Sequence, residues 1–424
     1  MEKCLLSVTT LSMWLSIRNC LGLRLIWVVA FLFLPRNTLL FSCTSVIVSG
    51  RASADGRPFI FKNGDATDRD AVVIMNHDER YQFLALVSAK SRKPNRTRCG
   101  FNEKGFAIIN TNASNLNGVR KDNTNNTRIM WRALGVCASL EDFENLLDTL
   151  PKPLIANSNF GVMDARGGVA YYETNNKGYV KYDANDPIAA PDGYLIRTNF
   201  GVSGDRSLDK GVERYAAMEA YMQQAKKRGK FNGVDVIQGV TRFFIHGQTK
   251  ENLGDFMPED DSKRVFVPFQ GYIPRQQTAT AQLIQGALPG ESPLATIGWT
   301  ICGSPLTTVC VPLWITPEGC LPEMLSRNSD GYATLTHMGL KLKGKLFPNG
   351  VGRKKGEINI ASLMNHAGTG ILQRILPIEK KIIRRSRGVR RSVSKGKHAN
   401  RAVSEYYKWV DEYLAEEYKK LIER

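Results

Sequence analysis

Cys43 opens the run Cys43-Thr44-Ser45-Val46-Ile47-Val48-Ser49-Gly50, directly after an apolar segment of export type. A cut before it leaves a thiol and a free α-amine on one residue, which is a nucleophile with its own base. An ordinary internal cysteine lacks that base, because its nitrogen is tied up in an amide. A thiol pKa of about 8.5 and an α-amine pKa of about 7.7 to 8.0 lie close enough for modest local charge to poise the pair for proton exchange. Nineteen residues on, Lys62-Asn63-Gly64-Asp65 ends the second strand of a hairpin that begins at Cys43. A hairpin returns its end to its start, so Lys62 and Asp65 are expected beside that terminus, where a carboxylate can accept a hydrogen bond from the amine. Asn112 and Asn199 end two other strands. An asparagine at a strand end can present an amide donor to an oxyanion.

The elements that must position these groups begin with the leader. Leu21 to Leu34 is rich in Leu, Ile, Val, Phe and Trp, with Arg18 and Arg24 near its start and Pro35 after it. It is too short and interrupted for a comfortable span and reads as the apolar part of a secretory signal. Ser42 suits a cleavage site, whereas Leu40 is bulky for one. Leu40-Phe41-Ser42-Cys43 also has the outline of a lipoprotein box, which would acylate Cys43 and silence it. Met13 is an alternative start. The expected organisation is a leader over 1–42, a catalytic domain over 43–373, a basic linker over 374–402 and an amphipathic helix over 403–424. The mature protein is expected outside the cytoplasm, in a periplasm or secreted.

A hydrophobic content of 42% indicates a globular chain, and the net charge of +18 is concentrated late. Between Arg374 and Arg401 stand eleven Lys or Arg and one acid, Glu379, which is +10 of the total. The body is therefore only mildly basic, and nucleic acid is not an expected partner. The tail is read as a helix packing back on the body, with contact to an anionic membrane surface as the second reading. Six cysteines lie past the leader, none in CxxC spacing, and the five His form no HExxH, so no metal or other cofactor is expected. If Cys43 is a nucleophile, five cysteines remain, and an odd number argues against a disulfide framework. Gly339-Leu340-Lys341-Leu342-Lys343-Gly344-Lys345 has the spacing of a phosphate loop, but Leu346 stands where Ser or Thr must hold Mg²⁺. Gly350-Val351-Gly352 misses the dinucleotide fingerprint, and Gly201-Val202-Ser203-Gly204 lacks the last glycine of a nucleophile elbow.

Strands are expected at 44–49, 58–62, 72–75, 81–88, 105–112, 160–163, 169–173, 179–182, 295–301 and 309–315. Helices are expected over 128–150, broken and capped at Ser139, from a Ser207 cap to about Lys227, and over 234–244. Strands in runs and helices in pairs suggest α+β architecture, with antiparallel sheets and helices packed outside.

The order of the Cys-Thr-Ser strand, Asp-Gly-Arg-Pro, Lys-Asn-x-Asp, Gly-Phe-Asn-Glu-Lys-Gly, Thr-Asn and Glu-Arg-Tyr resembles the linear-amide branch of the N-terminal nucleophile hydrolases. That branch holds choloylglycine hydrolases, penicillin V acylases and acyl-coenzyme A:6-aminopenicillanic acid acyltransferases, and the start of this chain is most similar to the last. The resemblance runs from about Cys43 to Ile315 and implies a four-layer αββα sandwich. It also implies that Cys43 is the nucleophile, Asp65 the acid that binds its amine, and Asn112 and Asn199 the lining of the oxyanion site. Lys62 falls where bile salt hydrolases have an arginine near the thiol. Arg214 matches a supporting arginine, preceded by Glu213 where those hydrolases have Ser. The implied substrate is a small N-acyl amide cleaved through a thioester, with acyl-coenzyme A as an alternative acyl donor, in a homo-oligomer. The competing reading is a lipid-anchored, catalytically idle binding protein on the same fold.

Overall fold

The computed structural model describes residues 42–90, 97–116, 125–348, 356–396 and 399–423. Nearly all of the expected leader and the glycine run at 350–352 lie outside the described residues. The described residues belong to one compact unit.

Strands β1 (Thr44–Val48) and β2 (Phe59–Asp65) are buried at every residue. Burial on both faces explains their unbroken apolar runs at 46–48 and 59–61. They pair antiparallel with Thr44 opposite Asn63 and Val48 opposite Phe59, so the start of β1 and the end of β2 share one end of the sheet. Next come β3 (Ala71–Asn76), β4 (Phe83–Ser88), β5 (Thr97–Asn102) and β6 (Ala107–Asn112). Helix α1 (Asn126–Val136) and α2 (Leu140–Thr149) follow, and Ser139 caps α2 in a reciprocal box with Asp142, as its sequence position suggests. Then β7 (Ser158–Met163), β8 (Val169–Thr174) and β9 (Tyr179–Asp183) complete a seven-stranded antiparallel meander in the order β3 to β9.

The second sheet draws on both halves of the chain. After β10 (Tyr194–Arg197) come α3 (Val212–Lys227), α4 (Gly233–Val240), β11 (Phe266–Pro268), β12 (Thr278–Gln285), β13 (Ile297–Cys302) and β14 (Val311–Leu313). Its order is β10-β1-β2-β12-β13-β14. The two sheets pack face to face, and Ser45 Oγ meets Tyr171 OH across the gap at 2.7 Å. Helices α1 and α2 lie near the seven-stranded sheet, where Phe143 of α2 meets Phe160 and Tyr172 edge-on at 5.8 and 5.2 Å. Helices α3 and α4 cover the six-stranded sheet. The expected α+β, four-layer αββα arrangement is what the chain adopts.

Three expectations need correction, and the stretch rejected as a phosphate loop proves helical. Helix α3 starts at Val212 behind Gly211, and Ser207 lies instead in a short 3-10 turn capped by Asp205. Central strand β12 is not among the expected strands, because Thr278, Thr280, Gln282 and Gln285 interrupt its apolar residues; Thr278 Oγ1 donates to Asp65 and Gln282 Nε2 to Thr300. The phosphate-loop-like stretch is α5 (Thr334–Leu346), which precedes β15 (Glu357–Asn359) and the one-turn α6 (Ile360–Leu363). The basic stretch expected as a linker is mostly helix α7 (Ile371–Ser394), because Ile371, Ile375, Ile378, Ile382, Val389 and Val393 form a buried stripe. It pairs with α8 (Ala399–Glu423), whose Tyr407 and Tyr418 hydroxyls accept from the Trp314 and Val309 N–H groups at 2.8 and 3.1 Å. The terminal helix thus packs on the body, as the first reading of the tail has it.

Candidate active site

The site forms where the start of β1, the ends of β2, β6 and β10 and the start of α3 converge. The Cys43 backbone nitrogen donates to Asn199 Oδ1 at 3.1 Å. Arg214 donates through Nη2 to the same Oδ1 at 2.7 Å, and through Nη1 to Thr44 Oγ1 at 3.0 Å and to the Cys43 carbonyl. Asn199 donates its Nδ2 to the Asn112 carbonyl at 2.9 Å. With Oδ1 receiving two donors and Nδ2 facing a carbonyl, the orientation of this amide is set by its network.

Backbone anchoring keeps Asn199 in place. Ser114 donates its N–H and its hydroxyl to the Asn199 carbonyl, each at 3.0 Å. Glu173, fully buried, accepts from Arg197 Nε and the Val202 and Ser203 N–H groups at 2.7 Å, tying down the chain on both sides. Gly211 has φ +79°, and a Cβ there would meet Arg214 Nη2 at 2.1 Å, so only glycine serves at this entry to α3. Burial pushes the Arg214 guanidinium down to about 10, against the pull of the Asp65 carboxylate.

Asp65 occupies a neighbouring, separate cluster. Its Oδ1 accepts from Thr278 Oγ1 at 2.7 Å, and its Oδ2 faces Arg275 at 3.5 Å without a hydrogen bond. Burial raises its pKa against the opposing charges of Arg275 and Arg214, the Thr278 bond and Lys343. Lys343 of α5 donates to the Thr278 carbonyl at 2.7 Å, and burial pushes it down to about 7, with Arg69 acting in the same direction. Arg275, Thr278 and Lys343 escaped the sequence reading. They lie more than 200 residues beyond Asp65, and nothing in their local pattern marks them.

Three expected roles change, the first being that of Asp65, which accepts from Thr278 and faces Arg275 while the Cys43 nitrogen donates to Asn199 instead. Asn199 turns its acceptor, not a donor, toward Cys43, so it orients the nitrogen of that residue rather than an oxyanion. Lys62 faces the other sheet, because it pairs with Ser45, and its ammonium bonds Asn110 Oδ1 and the Arg98 carbonyl at 2.8 Å each. Its hydrogen bonds do not include the Cys43 thiol. Asn112 accepts at Oδ1 from Asn126 at 3.0 Å, and its Nδ2 makes no hydrogen bond among the described residues. The cysteines from Cys43 onward are all free, and no cluster suited to a metal occurs among the described residues.

Residues 53–234 match the model of a family described as acyl-coenzyme A:6-aminopenicillanic acid acyl-transferase. The chain is similar to that family over this stretch. The match covers about two fifths of the sequence, takes in Lys62, Asp65, Asn112, Asn199 and Arg214, and begins just past Cys43. Over these residues the match agrees with the expected resemblance to acyl-coenzyme A:6-aminopenicillanic acid acyltransferases, and the reading of the chain as an acyl-transferring enzyme rests on it. No curated protein matches the sequence. Among solved structures, a variant of conjugated bile acid hydrolase from Clostridium perfringens is similar at 11% identity and a TM-score of 0.36, over 61% of this chain and 89% of that one. Penicillin V acylase from Agrobacterium tumefaciens gives 13%, 0.35, 65% and 87% in the same terms. The N-acylethanolamine-hydrolyzing acid amidase ortholog of Caenorhabditis elegans gives 15%, 0.32, 45% and 81%. All three are distant likenesses.

Proposed function

We propose that the protein is exported, is cut before Cys43, and then cleaves a linear N-acyl amide through a thioester on that residue. One observation carries the reading. The Arg214 fork and the Asn199 amide converge on the backbone nitrogen and carbonyl of Cys43, an investment in main-chain atoms that an ordinary internal residue does not need. Once the peptide bond before Cys43 is cut, the held nitrogen is an α-amine, and Asn199 Oδ1 keeps one of its hydrogens while the lone pair stays available for the thiol proton.

The amine takes the thiol proton and the thiolate attacks the acyl carbonyl, forming a C–S bond. Charge on the carbonyl oxygen is met by Asn112 Nδ2. The C–N bond then breaks and the leaving amine takes the proton from the Cys43 ammonium. Water hydrolyses the thioester, or a second amine accepts the acyl group, and acyl-coenzyme A is an alternative donor in keeping with the family description. Asp65 acts from the adjoining cluster, its charge sensed by Arg214.

Intact mass and amino-terminal sequencing of purified protein should give a chain beginning at an unmodified Cys43. A diacylglyceryl group there would instead support an idle, lipid-anchored protein. Cys43→Ala should abolish turnover of a chromogenic N-acyl amide, while Cys99→Ala and Cys137→Ala retain it. Full activity in Cys43→Ala would overturn the proposal.

A further inference from the structure

Helix α7 is apolar toward the body and cationic toward solvent. Lys380, Arg384, Arg387, Arg391 and Lys395 occupy exposed positions at helical spacing, a straight stripe about 22 Å long at 1.5 Å per residue. No exposed position of the helix carries a carboxylate. Its single acid, Glu379, is turned inward, where Arg242 meets it at 2.7 Å. The five stripe residues make no ion pair among the described residues. Like charges set side by side without partners repel one another, and a counter-surface relieves that repulsion.

We infer that this stripe docks the protein on the surface of an anionic phospholipid bilayer. Three features select a lipid plane. A straight row on one helix face meets a plane with all five charges at once. The aromatic rings beside the row are already covered. Lys381 lies over Tyr413 and Arg385 over Trp409, both at 4.2 Å, and the two rings stack on each other at 5.1 Å. Single-stranded nucleic acid binds by stacking bases on open ring faces, and these faces are occupied. The inner side of α7 is packed against β14 and its flank against α8, so its cationic outer face is the side open to a partner. Attachment is to the surface, since no described helix is long and apolar enough to cross a membrane. The inference is independent of the chemistry at Cys43.

Flotation of the full chain with phosphatidylcholine vesicles, with and without phosphatidylserine, tests it. Binding is expected only with phosphatidylserine and should vanish at about 1 M salt, where the screening length is about 3 Å. The variant K380E/R384E/R387E/R391E should lose at least about a hundredfold in partitioning, since each cation near such a surface contributes about fivefold. All four positions are exposed, so its melting temperature should match the wild type. The control K408E/K419E, on exposed positions of α8, should bind normally. Equal binding to neutral vesicles, retention by the quadruple variant, or capture by single-stranded nucleic acid without vesicle binding would each overturn the inference.

Discussion

Two buried arginines, Arg214 and Arg242, meet opposite surroundings. Arg242 is matched by a carboxylate, with Nη1 and Nη2 each 2.7 Å from a different oxygen of Glu379. Glu379 also accepts from Gln238 at 2.8 Å and from the Cys310 N–H at 2.7 Å. Burial opposes charge on both partners, yet the pairing prevails: Arg242 is held above its ordinary value and Glu379 below its own. Arg214 forks onto neutral acceptors, and burial prevails, pushing it down. A complete ion pair pins the terminal helices to the body. A charge directed at main-chain atoms of one cysteine is what a site looks like when positioning, rather than stability, is selected.

That contrast is sharpest at the Arg242 pair. Arg242→Met leaves Glu379 buried without its counter-charge and should destabilise the fold by about 3–5 kcal/mol in urea denaturation. Replacing both by apolar residues of similar volume should recover most of that loss. If the single variant is as stable as the wild type, the pair is not the lock described. Because the Glu379 pKa is depressed, its contribution is present above the ordinary value of 4.5 and is lost as pH falls through the folded value.

Arg214→Lys should move function more than stability. A lysine keeps the charge but cannot fork between Asn199 and Cys43, and misplacement of the nucleophile should lower kcat/KM by about a hundredfold. A loss under threefold would mean that Asn199 holds Cys43 unaided.

Asp65→Asn should separate the two quantities in opposite directions. Its pKa is raised in the fold, so ionised Asp65 weakens the folded state as pH rises above the ordinary 3.8. Asparagine keeps the acceptor for Thr278 and removes the penalty. The melting temperature at neutral pH should rise by a few degrees while activity falls and its pH profile shifts. A lower melting temperature would make Asp65 a structural residue like Glu379.

The smallest effect is expected at Lys343. Its folded pKa of about 7 lies below the ordinary 10.5, so the unfolded chain holds the extra proton between them and stability rises with pH across that window. Lys343→Met should flatten this rise. An unchanged pH dependence would show that Lys343 does not titrate there.

The first hairpin that returns Asp65 toward Cys43, the capped break at Ser139 and the amphipathic final helix were legible in the sequence, because each rests on contacts between near neighbours or on a repeating apolar period. Basic residues at 374–402 masked a helix whose isoleucine stripe was equally present, since charge was weighed above periodicity. Amide direction could not be read in the same way. Asparagine presents a donor and an acceptor on one planar group, and which end of Asn199 faces Cys43 depends on Arg214 and on the Asn112 carbonyl, 15 and 87 residues away. The types and order of the reactive residues are properties of the chain alone. Their orientation, and the polar cluster that gathers Arg275, Thr278 and Lys343 around Asp65, belong to the tertiary structure, because a buried polar group takes its direction from whichever partners the packing brings within hydrogen-bond reach.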